Sequence, residues 1–329
     1  MNPSPIRLAL PSKGVLEKDT MNFLAVAGMR VNRPNARQYV ASVPSMPDLT
    51  VLFQRAPDIF KKVAEGDAAF GITGYDIVRE YGFEHDEVVV LRNNLGYGGC
   101  RLALAVPEAW IDVSSIEDLA DLAVLFKAEG RDLRLATKFP NLTKQWLYSR
   151  GIIQFGLVAG QGALEVAPSM GYADLIVDIV SSGMTLRENR LKELTGGTIL
   201  YSEACLIGNR TALKDARVEK TAVSIIERIE ARERAPQFIS ITANMQGDSP
   251  EAIAALIHAG GELAGARGPS IAKVYGRAGD GADWYALTIV IKRKLLLEAV
   301  AHLRDCGGTD IAVTSPDYLF GAEPLTLEI

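Results

Sequence analysis

Residues 173–191, ADLIVDIVSSGMTLRENRL, constrain the fold more than any other stretch. Leu175–Val180 is an almost wholly apolar run with one acid, Asp178, inside it. Such a run reads as a strand buried in a parallel sheet. Ser181-Ser182-Gly183-Met184-Thr185 follows, small, hydroxyl-bearing and flexible. Residues 186–194 then carry apolar side chains at 186, 191 and 194 among charges, which suits a short helix. A strand–loop–helix unit leaves free backbone N–H groups at the helix start, where the dipole favours an anion. Gly183 permits close backbone approach, and Ser181, Ser182 and Thr185 add hydroxyl donors. Asp178 would repel phosphate, so it suits sugar hydroxyls or a metal. The stretch reads as a site for a phosphorylated sugar. The competing reading is an ordinary turn capped by Ser182 or Thr185.

The same rhythm repeats along the chain. Ile6–Leu10 is a strand, Ser12-Lys13-Gly14 a loop, and Leu16–Ala27 a helix stopped by Gly28. Leu49–Phe53 is a strand whose end carries Arg55, where α/β proteins place ligands. Ala68–Ile72 opens into Thr73-Gly74-Tyr75-Asp76, a glycine turn with an acid. Val88–Leu91 and Arg101–Val106 are strands on either side of the glycine-rich NNLGYGGC. Leu133–Ala136 and Ile152–Val158 are strands, and Gly160–Glu165 a turn into a helix ended by Pro168 and Gly171. Alternating units of this kind predict α/β with a mostly parallel sheet. Thr211–Arg234 reads as one amphipathic helix with Val218, Ala222, Ile225, Ile226 and Ile229 on one face.

After Pro236 the pattern changes to strand–helix–strand–strand–helix–strand, the ferredoxin-like order. No chemistry-bearing cluster stands out there, which suits a regulatory domain. The expected division is 1–107 with 196–235 as lobe I, 108–195 as lobe II, and 236–329 as the appended domain.

Composition excludes several classes. The net charge of −5 offers no nucleic-acid or membrane surface, so an anionic ligand needs local cations. The three cysteines, Cys100, Cys205 and Cys306, are isolated and have no zinc spacing. Three scattered histidines form no cluster. Neither a signal-peptide pattern nor a membrane-length apolar run is visible, so the expectation is a cytoplasmic protein.

Seven segments together resemble one family, ATP phosphoribosyltransferase. They are LALPSKG at 8–14, FQRAPDI at 53–59, GITGYD at 71–76, LGYGGCRLALAVP at 95–107, ATKFPNLT at 136–143, GALEVAP at 162–168 and ADLIVDIVSSGMTLREN at 173–189. In the tail, ITANMQG at 241–247, GPSIAKVY at 268–275 and WYALTIVI at 284–291 are similar to the regulatory domain of the family's long form. The resemblance implies a two-lobed core like that of periplasmic binding proteins, with a ferredoxin-like regulatory domain. It implies transfer of the phosphoribosyl group of phosphoribosyl pyrophosphate to N1 of ATP, with magnesium, as the first step of histidine biosynthesis. It also implies a homohexamer built from dimers and inhibited by histidine.

On that resemblance, Ser181, Ser182, Gly183 and Thr185 hold the sugar phosphate, and Asp178 its hydroxyls, directly or through magnesium. Lys13, Gly14, Arg55, Gly74 and Asp76 are the ATP set, with Arg55 and Asp178 nearest the chemistry. Thr242, Asn244 and Ser270 are the candidate histidine ligands. One position departs: the family commonly has arginine straight after the SKG turn, and here it is Val15. Lys13, Arg33 and Arg37 are the candidates to replace it. Two alternatives stay open, a two-lobed solute-binding protein and an inactive regulatory paralogue.

Overall fold

The computed structural model describes residues 5–35, 37–160, 162–265, 267–275 and 283–327. Met1–Ala222 forms one compact unit and Val223–Thr326 a second.

The first unit holds two sheets. Strand β1 (Ile6–Pro11) leads into helix α1 (Gly14–Val26), then β2 (Val40–Ser42) and β3 (Leu49–Gln54). Helix α2 (Ala56–Ala64), β4 (Phe70–Gly74), α3 (Tyr75–Tyr81) and β5 (Val88–Arg92) follow. The chain then crosses to the second sheet. Its elements are β6 (Cys100–Pro107), α4 (Ile116–Ala128), β7 (Leu133–Thr137), α5 (Pro140–Ser149), β8 (Phe155–Ala159), β9 (Leu175–Val180), α6 (Met184–Glu188) and β10 (Leu191–Ser202). The chain returns through Glu203 to β11 (Ala204–Asn209) and helix α7 (Ala216–Arg234). Strand order is β2-β3-β1-β4-β11-β5 in the first sheet and β10-β6-β9-β7-β8 in the second.

The two crossings lie side by side. Leu95 N–H donates to the Ala204 carbonyl at 3.0 Å, and Ala204 N–H to the Tyr97 carbonyl at 3.0 Å. Two lobes joined by paired crossing segments form the two-lobed architecture expected from the sequence. One buried apolar cluster includes Ile59, Ile77 and Val78 of the first lobe with Leu102, Phe139 and Leu142 of the second.

Four expectations need correction. The sheets are mixed rather than mostly parallel: β1 runs parallel to β3 and β4, and β7 to β8 and β9, but β11, β5, β6 and β10 pair antiparallel. Crossing between lobes reverses the chain, and composition does not record that reversal. For the same reason the lobe boundaries move. Strand β6 pairs with β9, and β10 with β6, so residues 100–107 and 196–202 belong to the second sheet, not to lobe I. The helix expected over 186–194 ends early, because Arg190 takes a left-handed φ of 56° and Leu191 and Leu194 turn into the buried side of β10. No helix forms over 163–171, where Pro168 and Gly171 (φ 77°) leave only turns; Gln161 lies outside the described residues.

The second unit contains β12 (Phe238–Gln246), α8 (Pro250–His258), β13 (Ser270–Val274), β14 (Trp284–Lys292), α9 (Leu296–Asp305) and β15 (Thr309–Thr314). All pairings are antiparallel, in the order β13-β14-β12-β15. This is the ferredoxin-like domain anticipated above. Ile239, Ile241, Leu287 and Ile289 alternate onto one face and pack with Ile253, Ile257 and Leu303 of the helices. The second unit also takes in the C-terminal part of α7, from Val223 onward. Of the helix's apolar stripe, Val218, Ala222, Ile225, Ile226 and Ile229 are all buried.

Candidate active site

Parallel strands bring their carboxyl ends to one edge of a sheet, where α/β proteins gather ligand groups. In the first lobe those ends are Arg55 after β3, Ser12 and Lys13 after β1, and Tyr75 after β4. A cavity of about 610 Å³ opens there, lined by Lys13, Arg33, Arg37, Phe53, Arg55 and Asp58 among others. Arg33 is already committed. Its Nη1 pairs with Glu17 Oε1 at 2.6 Å, its Nε donates to the Gln38 carbonyl at 2.9 Å, and its guanidinium lies 3.8 Å from the Phe53 ring centre. Lys13, Arg37 and Arg55 make no side-chain hydrogen bond or ion pair among the described residues. Three uncommitted cations facing one cavity attract a polyanion. The alternative role for Arg55, an ion pair with Asp58, is not formed. Gly14, at φ 79°, turns the chain into α1, and Val15 points to solvent at 75% exposure.

A second cavity of about 440 Å³ lies between the lobes. Tyr75, Asn93, Asn94, Arg101, Ser181 and Glu203 are among its walls. Tyr75 N–H donates to the Glu203 carbonyl at 2.9 Å, which pins the start of α3 to the crossing. Arg101 grips Glu193 with two hydrogen bonds, at 2.8 and 2.5 Å, and its Nη1 reaches the Ser181 carbonyl at 3.4 Å. A bidentate pair of this kind fixes the base of the 181–185 loop. Gly183, at φ 72°, sits beside the same pair, and a side chain there would be strained.

Asp76 is not open to this cavity. It is 8% exposed, and Ser202 Oγ donates to its Oδ1 at 2.7 Å. Burial pushes its carboxyl above the usual carboxylate range, against the pull of that hydroxyl. Its carboxylate also folds over Gly74, leaving no room for a Cβ at that position. Sequence reasoning grouped Gly74 and Asp76 with the ATP ligands; in the structure Asp76 is buried and joined to Ser202, which ties α3 to β10, while Gly74 is half-buried at the end of β4. The Cys100 thiol, beside Asp76, is pushed up to about 11 by burial, so it is protonated at neutral pH.

In the second lobe, β9, β7 and β8 are parallel and deliver Asp178, Ser181, Lys138 and Gly160 to one edge. Lys138 Nζ donates to the Gly162 carbonyl at 2.8 Å, tying two of these loops together. Asp178 Oδ1 accepts from Ile179 N–H at 2.8 Å. Burial raises the Asp178 carboxyl above its ordinary range; Ile179 N–H and the Lys138 cation oppose this, and Glu165 adds to it. Ser182 Oγ accepts a long 3.4 Å bond from Met184 N–H, while Ser182 and Thr185 are exposed. Among the described residues no three His, Cys, Asp or Glu side chains group as a metal cage. A lone carboxylate such as Asp178 can suit magnesium, which keeps waters and binds through one or two carboxylates plus substrate phosphates.

Of the tail candidates, Thr242 and Thr288 share a 3.0 Å hydroxyl contact, and Ser270 is paired in register with Thr288. These three form a row across β12, β14 and β13, on the sheet face that α8 and α9 do not cover. Asn244 instead donates to Asp310 Oδ2 at 3.2 Å.

Sequence reasoning missed Lys138, Arg101, Glu193 and Glu203 as site residues. Lys138 and Arg101 lay inside segments already matched to the family, ATKFPNLT and LGYGGCRLALAVP. Nothing in the sequence marks Glu193 or Glu203, because their roles depend on which strands cross.

A two-lobed α/β core with polar and cationic side chains gathered at the strand ends of each lobe defines a class, two-lobed α/β proteins with a cavity between the lobes. Residues 55–231 match the family model described as ATP phosphoribosyltransferase, and residues 235–316 the one described as HisG, C-terminal domain. ATP phosphoribosyltransferase 2, chloroplastic, of Arabidopsis thaliana is 39% identical, covering 97% of this chain and 78% of that relative. The ATP phosphoribosyltransferase of Brucella anthropi is 44% identical over 223 residues, covering 67% of this chain and 96% of that relative. Among solved structures, the ATP phosphoribosyl transferase (HisG:HisZ) complex from Thermotoga maritima matches at a TM-score of 0.51 and 27% identity, covering 68% of this chain and 98% of that chain. The chain belongs to the ATP phosphoribosyltransferase family, whose members are pentosyl-transferring enzymes.

Proposed function

We propose that this chain transfers the phosphoribosyl group of phosphoribosyl pyrophosphate to N1 of ATP, the step that opens histidine biosynthesis. The observation that carries the reading is the cavity holding Lys13, Arg37 and Arg55 uncommitted, on the same sheet edge as a second cavity that includes Ser181. Along that edge the strand order runs β3, β1, β4, β11. Three strand steps at ~4.8 Å each span about 14 Å, comparable with an extended nucleoside triphosphate. The triphosphate sits against Lys13, Arg37 and Arg55, the adenine in the interlobe cavity, and the sugar phosphate on the 181–185 loop.

The protein does little covalent work in such a reaction. Holding two polyanions in line lowers the entropic barrier, and fixed cations stabilise the leaving charge. Arg101, anchored by Glu193, keeps the Ser181 loop at the cavity wall. Asp178 binds the ribose hydroxyls, and the Asp178 carboxylate with the substrate's phosphates would hold magnesium. When bound, magnesium neutralises charge on the departing pyrophosphate.

We further read the second unit as a histidine-sensing domain in a homohexamer, and the cytoplasm as the site of action. The match of residues 235–316 to the HisG C-terminal domain supports the first, and the isolated Cys100, Cys205 and Cys306 support a reducing compartment. Among the described residues no helix is long and apolar enough to cross a membrane. Incubation with ATP, phosphoribosyl pyrophosphate and magnesium, followed by absorbance of the N1-linked adduct, tests the activity. A chain that binds these ligands without turnover is a carrier or an inactive paralogue.

A further inference from the structure

Glu203 presents an unexplained feature. It is the single residue between β10 and β11, where the chain crosses from one lobe to the other. Its carbonyl is used, accepting from Tyr75 N–H. Its side chain is not: Oε2 is buried and has no hydrogen-bond partner among the described residues. A buried carboxylate oxygen without a donor costs free energy unless something else supplies one. Glu203 lines the interlobe cavity, together with the amide side chains of Asn93 and Asn94 and the ring of Tyr75. Arg101 shares that cavity but is already held by Glu193. A donor brought by what fills the cavity would pair this carboxylate.

We propose that the Glu203 carboxylate accepts a hydrogen bond from the exocyclic amine of the adenine ring. The inference rests on the reading above, that ATP and phosphoribosyl pyrophosphate meet in this cavity. An amine donor, a flat ring and nearby amides suit the walls: an acid for the amine, Asn93 and Asn94 for ring nitrogens, and Tyr75 for the ring itself. The contact also bears on rate. As the bond from N1 to C1′ forms, the bond from C1′ to the pyrophosphate oxygen breaks and its electron pair leaves with pyrophosphate. The adenine ring then carries positive charge, spread onto the amine. A carboxylate on that amine gains attraction as the charge grows, so it is stronger in the transition state than in the ground state. A base without that amine forfeits the contact and leaves the carboxylate unpaired, which makes Glu203 a determinant of specificity.

The test pairs a substrate change with a residue change. Purine riboside triphosphate keeps N1 but lacks the amine. Wild-type enzyme is expected to use it at least about a hundredfold less efficiently than ATP, and Glu203→Ala to narrow that gap by about tenfold or more. Glu203→Gln, which keeps shape but not charge, is expected to lower kcat about tenfold or more and leave KM for phosphoribosyl pyrophosphate within roughly twofold. An equal gap in wild type and Glu203→Ala, or an unchanged kcat in Glu203→Gln, overturns the inference. If a variant unfolds, wild type alone decides: use of purine riboside triphosphate as efficiently as ATP overturns it. Wild-type enzyme that consumes neither nucleotide overturns the parent reading instead.

Discussion

The Glu80 carboxylate, on α3 of the first lobe, accepts the backbone N–H of Leu142 at 3.0 Å, at the start of α5 in the second. Its other oxygen accepts Asn141 N–H at 2.9 Å, and the Asn141 side chain returns a bond to the Glu80 carbonyl at 3.1 Å. One acid thus caps the helix of the other lobe and satisfies two donors that α5 cannot pair internally. Glu80 is 1% exposed, so water cannot replace it. Glu80→Ala should therefore cost about 1–3 kcal/mol, the penalty of leaving buried donors unmade. Glu80→Gln should cost less, since one acceptor survives. Urea unfolding of both variants checks the order, and equal stability to wild type would refute the cap.

The anion cavity makes a prediction that separates its arginines. Arg37→Ala should raise KM for ATP about tenfold, the loss expected for one charge-assisted contact, and leave KM for phosphoribosyl pyrophosphate unchanged. Arg55→Lys should be damaging too, because lysine cannot make a bidentate phosphate contact. Arg33→Ala should act differently: its guanidinium already serves Glu17, Gln38 and Phe53, so the main loss is stability. The KM for ATP should rise with salt in wild type and less steeply in Arg37→Ala. Steady-state kinetics at two ionic strengths decide this.

The strands were legible in the sequence because buried runs such as Leu175–Val180 and Leu49–Phe53 carry their own signal. The tail's order was legible for the same reason, through strict alternation in 238–246 and 284–292. Partner choice was not. Strand β6 looks the same whether it completes the first sheet or the second, and its antiparallel pairing with β9 emerges only in the fold. Helix length failed where one backbone angle decided it, at Arg190. In the site, Lys13, Arg55 and Ser181 were readable as polar groups at strand ends. Asp76 was readable as an acid after a glycine turn, but its partner Ser202 was not, because it lies 126 residues away. Glu203 was invisible because what marks it is one buried carboxylate oxygen without a hydrogen-bond partner among the described residues.

Asp178 couples stability to pH. Burial raises its carboxyl above the ordinary range, so in the unliganded protein the folded state holds that proton more tightly than the unfolded chain does. The associated stability is complete below the unfolded value, near ~4, and is lost as pH rises through the folded value. At neutral pH the ionised group therefore destabilises the empty enzyme. Asp178→Asn should remove that cost, keep an acceptor for Ile179 N–H, and raise the melting temperature by about 1–3 °C at pH 7. The gain should fade as pH falls toward 4. Turnover should be lost, since an amide cannot hold ribose hydroxyls and metal as a carboxylate does. A variant with normal turnover, or a gain that grows in acid, would contradict the assignment.

The hydroxyl row of the tail carries the last prediction. Thr242 and Thr288 are in contact, and Ser270 stands opposite Thr288, on the sheet face turned away from α8 and α9. A free amino acid needs acceptors for its amine and donors for its carboxylate, and hydroxyls serve as either. Asn244 is a weaker candidate than the sequence suggests, because Asp310 already holds its amide. Thr242→Val and Ser270→Ala each remove one hydroxyl and little volume. Each should weaken histidine inhibition about tenfold, the value of one hydrogen bond to a charged ligand. The uninhibited kcat and the unfolding midpoint should stay near wild type, since these groups lie in the second unit, outside the catalytic cavities. Inhibition also demands more than binding: histidine must favour an inactive arrangement over the active one. ATP and histidine should therefore weaken each other's binding by the same factor, which calorimetric titration of each in the presence of the other can measure. Full inhibition in the Thr242→Val, Ser270→Ala double variant would move the sensing site elsewhere in the chain.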